Sequence, residues 1–395
     1  MFFEEKLLFK TGGRSNFRIP TMIVTNNGTV LAFCNDRKDT NRDEAKEVAL
    51  SLCIKQPGND FGDIIDIDCF PGWACGIGNA VYDTDTGKAI IFSYRSPLTP
   101  NEFAEYTEEQ LAERERQRKE AVEQLNAAGK REGEVRLVST DNGETWMEEA
   151  MSTIPANQLH IDGKVYPVHG STHGSAHGIK LRHGKHKGRL ICPARTNIGH
   201  YSSLDEIIHH TYNCAIYSDD NGSTWHTSNC VQVGTGEGTL IENADGSITY
   251  NSRAYFNDGK RYLATSNDGG ETFENFRTDD FLIEQKGGGC NASFIRVELD
   301  EIKDRSALPH DAQDVTVFVN PRAETRDDLM ACISFDSGAT WSHVKPIYMG
   351  HTGYSSLCFN PVDQLFYLLY EKGEKTHYAD GIVMASFDLE WLLSK

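Results

Sequence analysis

Nowhere in its 395 residues does the chain hold an apolar run approaching the ~18 residues of a membrane-spanning helix, which excludes such a span. Its first residues, Met1-Phe-Phe-Glu-Glu-Lys6, place acids where a secretory leader needs basic residues and then an apolar stretch. A chain without a leader is expected, and with it a cytoplasmic location; a secreted or periplasmic location is the alternative for a trimmed chain. Ten cysteines are scattered with no Cys-x-x-Cys pair and no zinc-type spacing. Many sit inside apolar, strand-like patterns, so buried thiols in a reducing compartment are expected, and no metal or cofactor is called for. Positive charge is scarce too: 39 Lys and Arg against 58 Asp and Glu leave a formal net charge of −19. This argues against nucleic acid or an anionic membrane as a general partner. If the ligand is an anion, positive charge must be gathered locally at its site.

What the chain does have is repetition. Ser139-Thr-Asp-Asn-Gly-Glu-Thr-Trp146 returns as Ser218-Asp-Asp-Asn-Gly-Ser-Thr-Trp225, as Ser266-Asn-Asp-Gly-Gly-Glu-Thr-Phe273 and as Ser334-Phe-Asp-Ser-Gly-Ala-Thr-Trp341. The shared pattern is Ser-x-Asp-x-Gly-x-Thr-aromatic. Its Asp accepts from backbone N–H groups, its Gly supplies the positive φ of a tight hairpin, and the closing aromatic can bury itself between sheets. Such an array of hairpins in a chain of this size predicts an all-β, six-bladed propeller. No Pro- or Ser-rich linker sets off an appended module, so a single domain over residues 1–395 is expected. Gln56-Pro-Gly-Asn-Asp-Phe-Gly62 keeps turn residues where a repeat is due and reads as a degenerate copy.

One stretch breaks the β pattern. Residues 103–127 are rich in helix formers with i,i+4 charge pairs, and Gly129 offers a stop. Its apolar positions (Leu111, Ala121, Val122, Leu125) are sparse, as in a short helical surface insertion; a partner-binding helix is the alternative.

Three arginines stand in strand-like settings. Arg18 lies between apolar residues in Asn16-Phe-Arg-Ile-Pro20, Arg253 ends Tyr250-Asn-Ser-Arg253, and Arg326 precedes Asp-Asp-Leu-Met-Ala-Cys-Ile-Ser334. Arg is seldom buried without an anionic partner. Arginines from blades far apart in sequence can converge on a propeller's axis, where guanidinium is a good bidentate host for a carboxylate.

With these motifs the chain resembles the sialidase (neuraminidase) family, of the cellular and bacterial exo-α-sialidase type. That family shows Tyr/Phe-Arg-Ile-Pro near the start and several Asp boxes of the Ser-x-Asp-x-Gly-x-Thr-Trp form. The similarity runs from about Phe17 to Glu371, leaving out the 101–131 insertion. The resemblance implies a six-bladed propeller that binds the carboxylate of a sialic acid through Arg18, Arg253 and Arg326, with Arg322 a competitor for the third place. It implies Tyr354, in Gly353-Tyr-Ser-Ser-Leu-Cys358, as nucleophile. A neutral phenol escapes the repulsion that the sugar's own carboxylate would exert on an attacking Asp or Glu. A phenol needs a base, and the resemblance points to Glu237, with Glu242 as rival. It makes Asp43 the general acid/base, with Asp39 second, and places Arg37 as a fourth arginine near the carboxylate or the acid.

Two further stretches need a reading. His169, His173 and His177 are spaced by four, but interleaved glycines oppose the helix that would stack them around a metal; the segment resembles the family's Gly-x-Gly-x-Gly-Ile stretch entering a blade, which implies a rim or glycerol-side contact. Gly287-Gly-Gly-Cys-Asn-Ala-Ser-Phe294 lacks the Lys-Ser/Thr of a phosphate loop, and its resemblance to a site-lining stretch makes Asn291 a candidate substrate contact.

The expected activity is hydrolysis of terminal α-linked sialic acids from glycoproteins, glycolipids or oligosaccharides, with retention. The alternatives are a trans-sialidase, a hydrolase of another nonulosonic acid such as a deaminated sialic acid, or a non-catalytic carbohydrate-binding propeller.

Overall fold

Short runs of β-formers separated by turn residues fold as antiparallel meanders whose strands follow one another in sequence. The architecture is that of a computed structural model, which describes residues 1–43, 45, 47–97, 107–149, 153–161, 163–172, 176–198 and 204–394. One meander runs through Ser15–Val24, Val30–Lys38, Val48–Lys55 and Ile65–Asp68, and the next through Ala74–Asp83, Lys88–Ser96, Gly133–Ser139 and Met147–Glu149. Ile179–Lys180, Leu190–Asn197, Thr211–Ser218 and Trp225–Thr227 follow, then Thr235–Glu242, Ile248–Ala254, Lys260–Ser266 and Glu274–Ile283. Ser293–Glu298, Asp314–Pro321 and Asp327–Ser334 lead into the long strand His343–Asn360. The first half of that strand pairs with Asp327–Ser334 and its second half with Leu365–Lys372, which pairs with Gly381–Phe387. Phe3–Lys10 then pairs antiparallel with Gly381–Phe387, Phe3 opposite Phe387. The all-β class is as expected, and the arrangement is consistent with a β-propeller.

Many strands are apolar on both faces because each meander is sandwiched between neighbours. Leu31 and Phe33 join a core with Ile77, Ile91 and Leu137, while Val30, Ala32 and Cys34 point the other way onto Tyr367, Leu369 and Met384. In Lys88–Ser96, Ile91 faces back to that first core and Ile90 and Phe92 face forward to Leu190, Ile216 and Trp225. This is the period-2 alternation of a strand buried on both sides. All ten thiols are free and eight are buried in such layers, as expected.

Each repeat joins the third and fourth strands of a meander, and the four share one Ser–Asp–Gly–Thr hydrogen-bond scheme; the Trp Nε1 closes back onto the Gly carbonyl in the first two copies, while Trp341 Nε1 donates to Asp279 instead (3.0 Å). In the second copy Ser218 Oγ donates to Asp220 Oδ1 (2.8 Å), and Gly222 N–H donates back to Ser218 Oγ (2.9 Å). Thr224 N–H donates to Asp220 Oδ1 (2.8 Å), and Trp225 Nε1 donates to Gly222 O (3.0 Å). Asn221 and Gly222 both take positive φ, of 58° and 81°. A Cβ on Gly222 would also lie 2.5 Å from Ile90 Cδ1 in the preceding meander, so shape and conformation both require glycine there. Trp225 is fully buried, edge-on to Phe92 at 5.1 Å. Trp146 meets Phe33 in the same way at 5.7 Å, so these aromatics wedge between adjacent sheets. Gln56–Gly62 occupies the equivalent connection, between Val48–Lys55 and Ile65–Asp68.

The inserted helix spans Glu108–Ala127; residues 103–106 of the expected span lie outside the described residues. Thr107 caps it with Gln110 in a reciprocal capping box, and Gly129 follows its end with φ 72°. Leu111 is exposed, but Leu125 is buried, and with Ala121 and Val122 it packs on Phe70 and Trp73. The helix is therefore anchored by its last turns.

Trp225→Ala would empty a fully enclosed indole site between two meanders. Urea unfolding is expected to show a loss of about 3–5 kcal/mol.

Candidate functional site

A cavity of about 980 Å³ opens where strands of different meanders converge. Among the described residues, Arg18, Arg37, Arg42, Arg195, Arg253 and Arg326 line it against two carboxylates, Asp43 and Glu237. The local excess of positive charge reverses the sign of the whole chain, as an anionic ligand would require. None of the four repeat turns reaches this wall.

Tyr354 lies at the centre, on the second half of His343–Asn360, 6% exposed. Three guanidinium carbons surround its ring: Arg18 at 5.9 Å, Arg253 at 5.8 Å and Arg326 at 5.4 Å from the centroid. Its hydroxyl donates to Glu237 Oε1 (2.8 Å) and accepts from Arg253 Nη1 (2.7 Å), which also donates to Glu237 Oε2 (2.6 Å). Burial pushes the phenol above its usual pKa, and the charge of Arg253 only partly opposes this. The phenol is thus protonated at rest, with its proton already directed at a carboxylate.

Each arginine is held by groups that leave part of its donor fork unused. Arg18 donates from Nε to Glu371 (2.7 Å) and from Nη1 to Asn41 O (3.2 Å). Arg253 donates from Nε to Gly288 O (2.6 Å); Arg326 donates from Nε to Gln285 (3.0 Å) and from Nη2 to Gly289 O (3.5 Å). Glu371, fully buried, also accepts from the backbone N–H groups of Ile19 (3.0 Å) and Tyr354 (3.1 Å). One carboxylate therefore ties the first arginine to the central tyrosine. Ile19 adopts φ 59°, a left-handed conformation costly for a β-branched residue, where the pairing register of Ser15–Val24 shifts. The shift turns its N–H toward Glu371.

Asp43 sits at the mouth, its side chain 90% exposed and paired with Arg37 Nη2 at 2.8 Å. Arg37 also donates to Asn41 O (2.9 Å), so one backbone carbonyl receives both Arg37 and Arg18. Burial, then the facing Arg18, lower the Arg37 pKa, and Asp43 opposes them.

The structure thus brings Arg18, Arg37, Asp43, Glu237, Arg253, Arg326 and Tyr354 to one cavity. The rivals lie elsewhere. Asp39 is locked to Arg14 in an exposed two-bond pair, and Glu242 accepts from the backbone N–H groups of Arg182 and His183. Arg322 stacks on Phe281 and donates to its carbonyl. Asn291 is 1% exposed and does not line the cavity, and its amide finds no partner among the described residues. The glycine-rich stretch before it meets the site through the carbonyls of Gly288 and Gly289 instead. Of the spaced histidines, His173 lies outside the described residues; His177 is half-buried beside Thr239, Ser293 and Ser355, and desolvation there lowers its pKa to about 4.

Sequence reading missed Arg195, Tyr255, Gln285, His377, Tyr378 and the role of Glu371. Arg195, in Leu190-Ile-Cys-Pro-Ala-Arg195, carries a signal akin to that of Arg18, an arginine set in an apolar strand run. The others stand in unremarkable local sequence.

Residues 119–366 match the family model described as a BNR repeat-like domain. The sialidase of Micromonospora viridifaciens is 34% identical over 255 residues, which cover 64% of this chain and 35% of that protein. The sialidase of Paraclostridium sordellii is 27% identical over 289 residues, covering 71% and 63%. The chain spans less than two thirds of the length of either relative. Among solved structures, the leech intramolecular trans-sialidase complexed with 2,7-anhydro-Neu5Ac is 16% identical, with a TM-score of 0.71 over 99% of this chain and 71% of that one. The intramolecular trans-sialidase of Ruminococcus gnavus is also 16% identical, with a TM-score of 0.69 over 99% and 98%. At these identities the structural likeness is one of fold.

Burial alone raises the Glu371 pKa, but Arg18 and the Ile19 N–H outweigh it and hold the carboxyl below its ordinary 4.5. A depressed folded pKa contributes stability above the unfolded value that is lost as pH falls through the folded one. Urea unfolding between about pH 6 and 3 is expected to show this loss in the wild type and a smaller one in Glu371→Gln.

Proposed function

The chain belongs to the BNR repeat-like family as a sialidase-family member, and we propose that it is a retaining exo-α-sialidase acting on sialylated glycans. One observation carries the reading: three guanidinium groups surround a buried tyrosine whose hydroxyl donates to a glutamate. On this reading the meanders are the six blades of a single propeller over residues 1–395, with Phe3–Lys10 completing the last blade.

Arg18, Arg253 and Arg326 receive the substrate carboxylate in their unused N–H groups. Asp43, at the solvent edge, donates its proton to the glycosidic oxygen as the bond to the anomeric carbon breaks. Tyr354 Oη attacks that carbon while its proton passes to Glu237, and the aglycone leaves as a neutral alcohol. Asp43, now a carboxylate, takes a proton from water. The water oxygen bonds to the anomeric carbon, and the departing phenolate recovers its proton from Glu237. Two displacements retain configuration. Arg253, touching both the phenol and Glu237, stabilises negative charge wherever it lies along that hydrogen bond.

The test is release of 4-methylumbelliferone from its α-sialoside. Tyr354→Phe is expected to lose at least about 10³-fold in kcat. Asp43→Ala is expected to lose about 10²–10⁴-fold on a sialyllactose, whose alkoxide leaving group needs the proton, and far less on the aryl sialoside. A wild type silent between about pH 4 and 8 would sink the hydrolase reading, and equal turnover by Tyr354→Phe would sink the nucleophile.

A further inference from the structure

Residues 373–380 connect Leu365–Lys372 to Gly381–Phe387 and deliver two consecutive side chains, His377 and Tyr378, into the cavity. Each meets a different arginine. Arg326 Nη1 lies 3.1 Å from His377 Nε2, and the Arg18 guanidinium carbon lies 4.6 Å from the centroid of the Tyr378 ring. A guanidinium can only donate, so Nε2 is the acceptor in this bond and carries no proton. The connection is pinned at its base: Gly373 N–H donates to His351 O, Asp380 N–H to Lys372 O and Ala379 N–H to Thr376 O. Gly353, just before Tyr354, makes room for it. A Cβ there would lie 2.3 Å from Glu371 Oε2 and 2.9 Å from His377 Cδ2. Glu371 orients Arg18 along its edge, Tyr378 covers its face, and His377 occupies one donor of Arg326.

We propose that residues 373–380 form a positioning loop for the carboxylate-binding arginines, His377 orienting Arg326 and Tyr378 orienting Arg18. The inference rests on the sialidase reading for the identity of the ligand, but not for the contacts. It carries a pH signature. Burial first, then the facing Arg326, Arg18 and His351, oppose protonation of His377 against the pull of Glu371, and hold the imidazole at about 4. Above that pH the ring accepts from Arg326. Below it the imidazolium has no lone pair to offer and repels both arginines, so affinity for a carboxylate falls.

The experiment is steady-state kinetics on the aryl sialoside for His377→Ala, His377→Gln, Tyr378→Phe and Tyr378→Leu, each checked for a wild-type thermal melt. The carboxylate is held alike in ground and transition states, so His377→Ala should raise KM by about 10-fold with kcat within about 3-fold. Glutamine keeps an acceptor: His377→Gln should hold KM within about 3-fold and lose the wild-type rise in KM below about pH 4. Tyr378→Leu should raise KM, and Tyr378→Phe, which keeps the ring, should not. Wild-type KM in His377→Ala, or equal impairment by Ala and Gln, overturns the proposal. A second readout needs no turnover. The His377 imidazole, titrated by NMR, should rise by about one pH unit in Arg326→Met, and an unmoved titration also overturns it. If the wild type hydrolyses no sialoside while His377 still responds to Arg326, the sialidase reading falls and the loop's hold on the arginine stands.

Discussion

Like charges packed around one aromatic ring are the constraint on which the centre of this structure depends. Arg18, Arg253 and Arg326 all approach Tyr354, and Arg37 faces Arg18 from beside it. Such charges repel, and each loses water on burial. Buried Glu371, Glu237 and a set of backbone carbonyls from Asn41, Gly288 and Gly289 offset this. These partners take the edges of each guanidinium and leave part of every fork unspent. The geometry suits a binding site more than a closed ion-pair network, since a visiting anion would complete it.

The strain at Ile19 and the tightness at Gly353 follow from the same constraint. Glu371 must reach Arg18 and the Tyr354 backbone together. Ile19 is driven into a left-handed conformation that presents its N–H to that carboxylate, and Gly353 is kept free of a Cβ. Both are local costs borne by a rigid surround of strands buried on both faces.

Scaffold and chemistry occupy different parts of the chain. The repeat turns join the third and fourth strands of their meanders and drive an aromatic between adjacent sheets, and none lines the cavity. The cavity is built instead from strand ends and connections: Arg18 near the start of a strand, Arg253 near the end of another, Arg326 just before a third. The net charge of −19 is spread over the remaining surface, so the arginine cluster stands out as a local positive well.

The sequence by itself determined the all-β class and the hairpin turns, because the Ser–Asp–Gly–Thr scheme is closed within eight consecutive residues and needs no distant partner. It also marked Arg18, Arg253 and Arg326 through their strand-like settings, and the resemblance to the sialidase family added Glu237, Asp43 and Tyr354 as candidates. The end of the helix was legible from Gly129, but its start was expected at residue 103, whereas the capping box of Thr107 and Gln110 begins it at Glu108. Only the tertiary structure showed which member of each pair shares the cavity: Asp43 and Glu237 line it, whereas Arg14 claims Asp39 and the backbone at Arg182 and His183 claims Glu242. In the folded chain the carbonyls of Gly288 and Gly289, not the Asn291 side chain, meet the arginines, and Glu371, His377 and Tyr378 join them. Those residues act on arginines roughly 50 to 350 positions away. Local spacing carries no trace of such contacts, since they exist only once the first and last strands of the chain have been brought side by side.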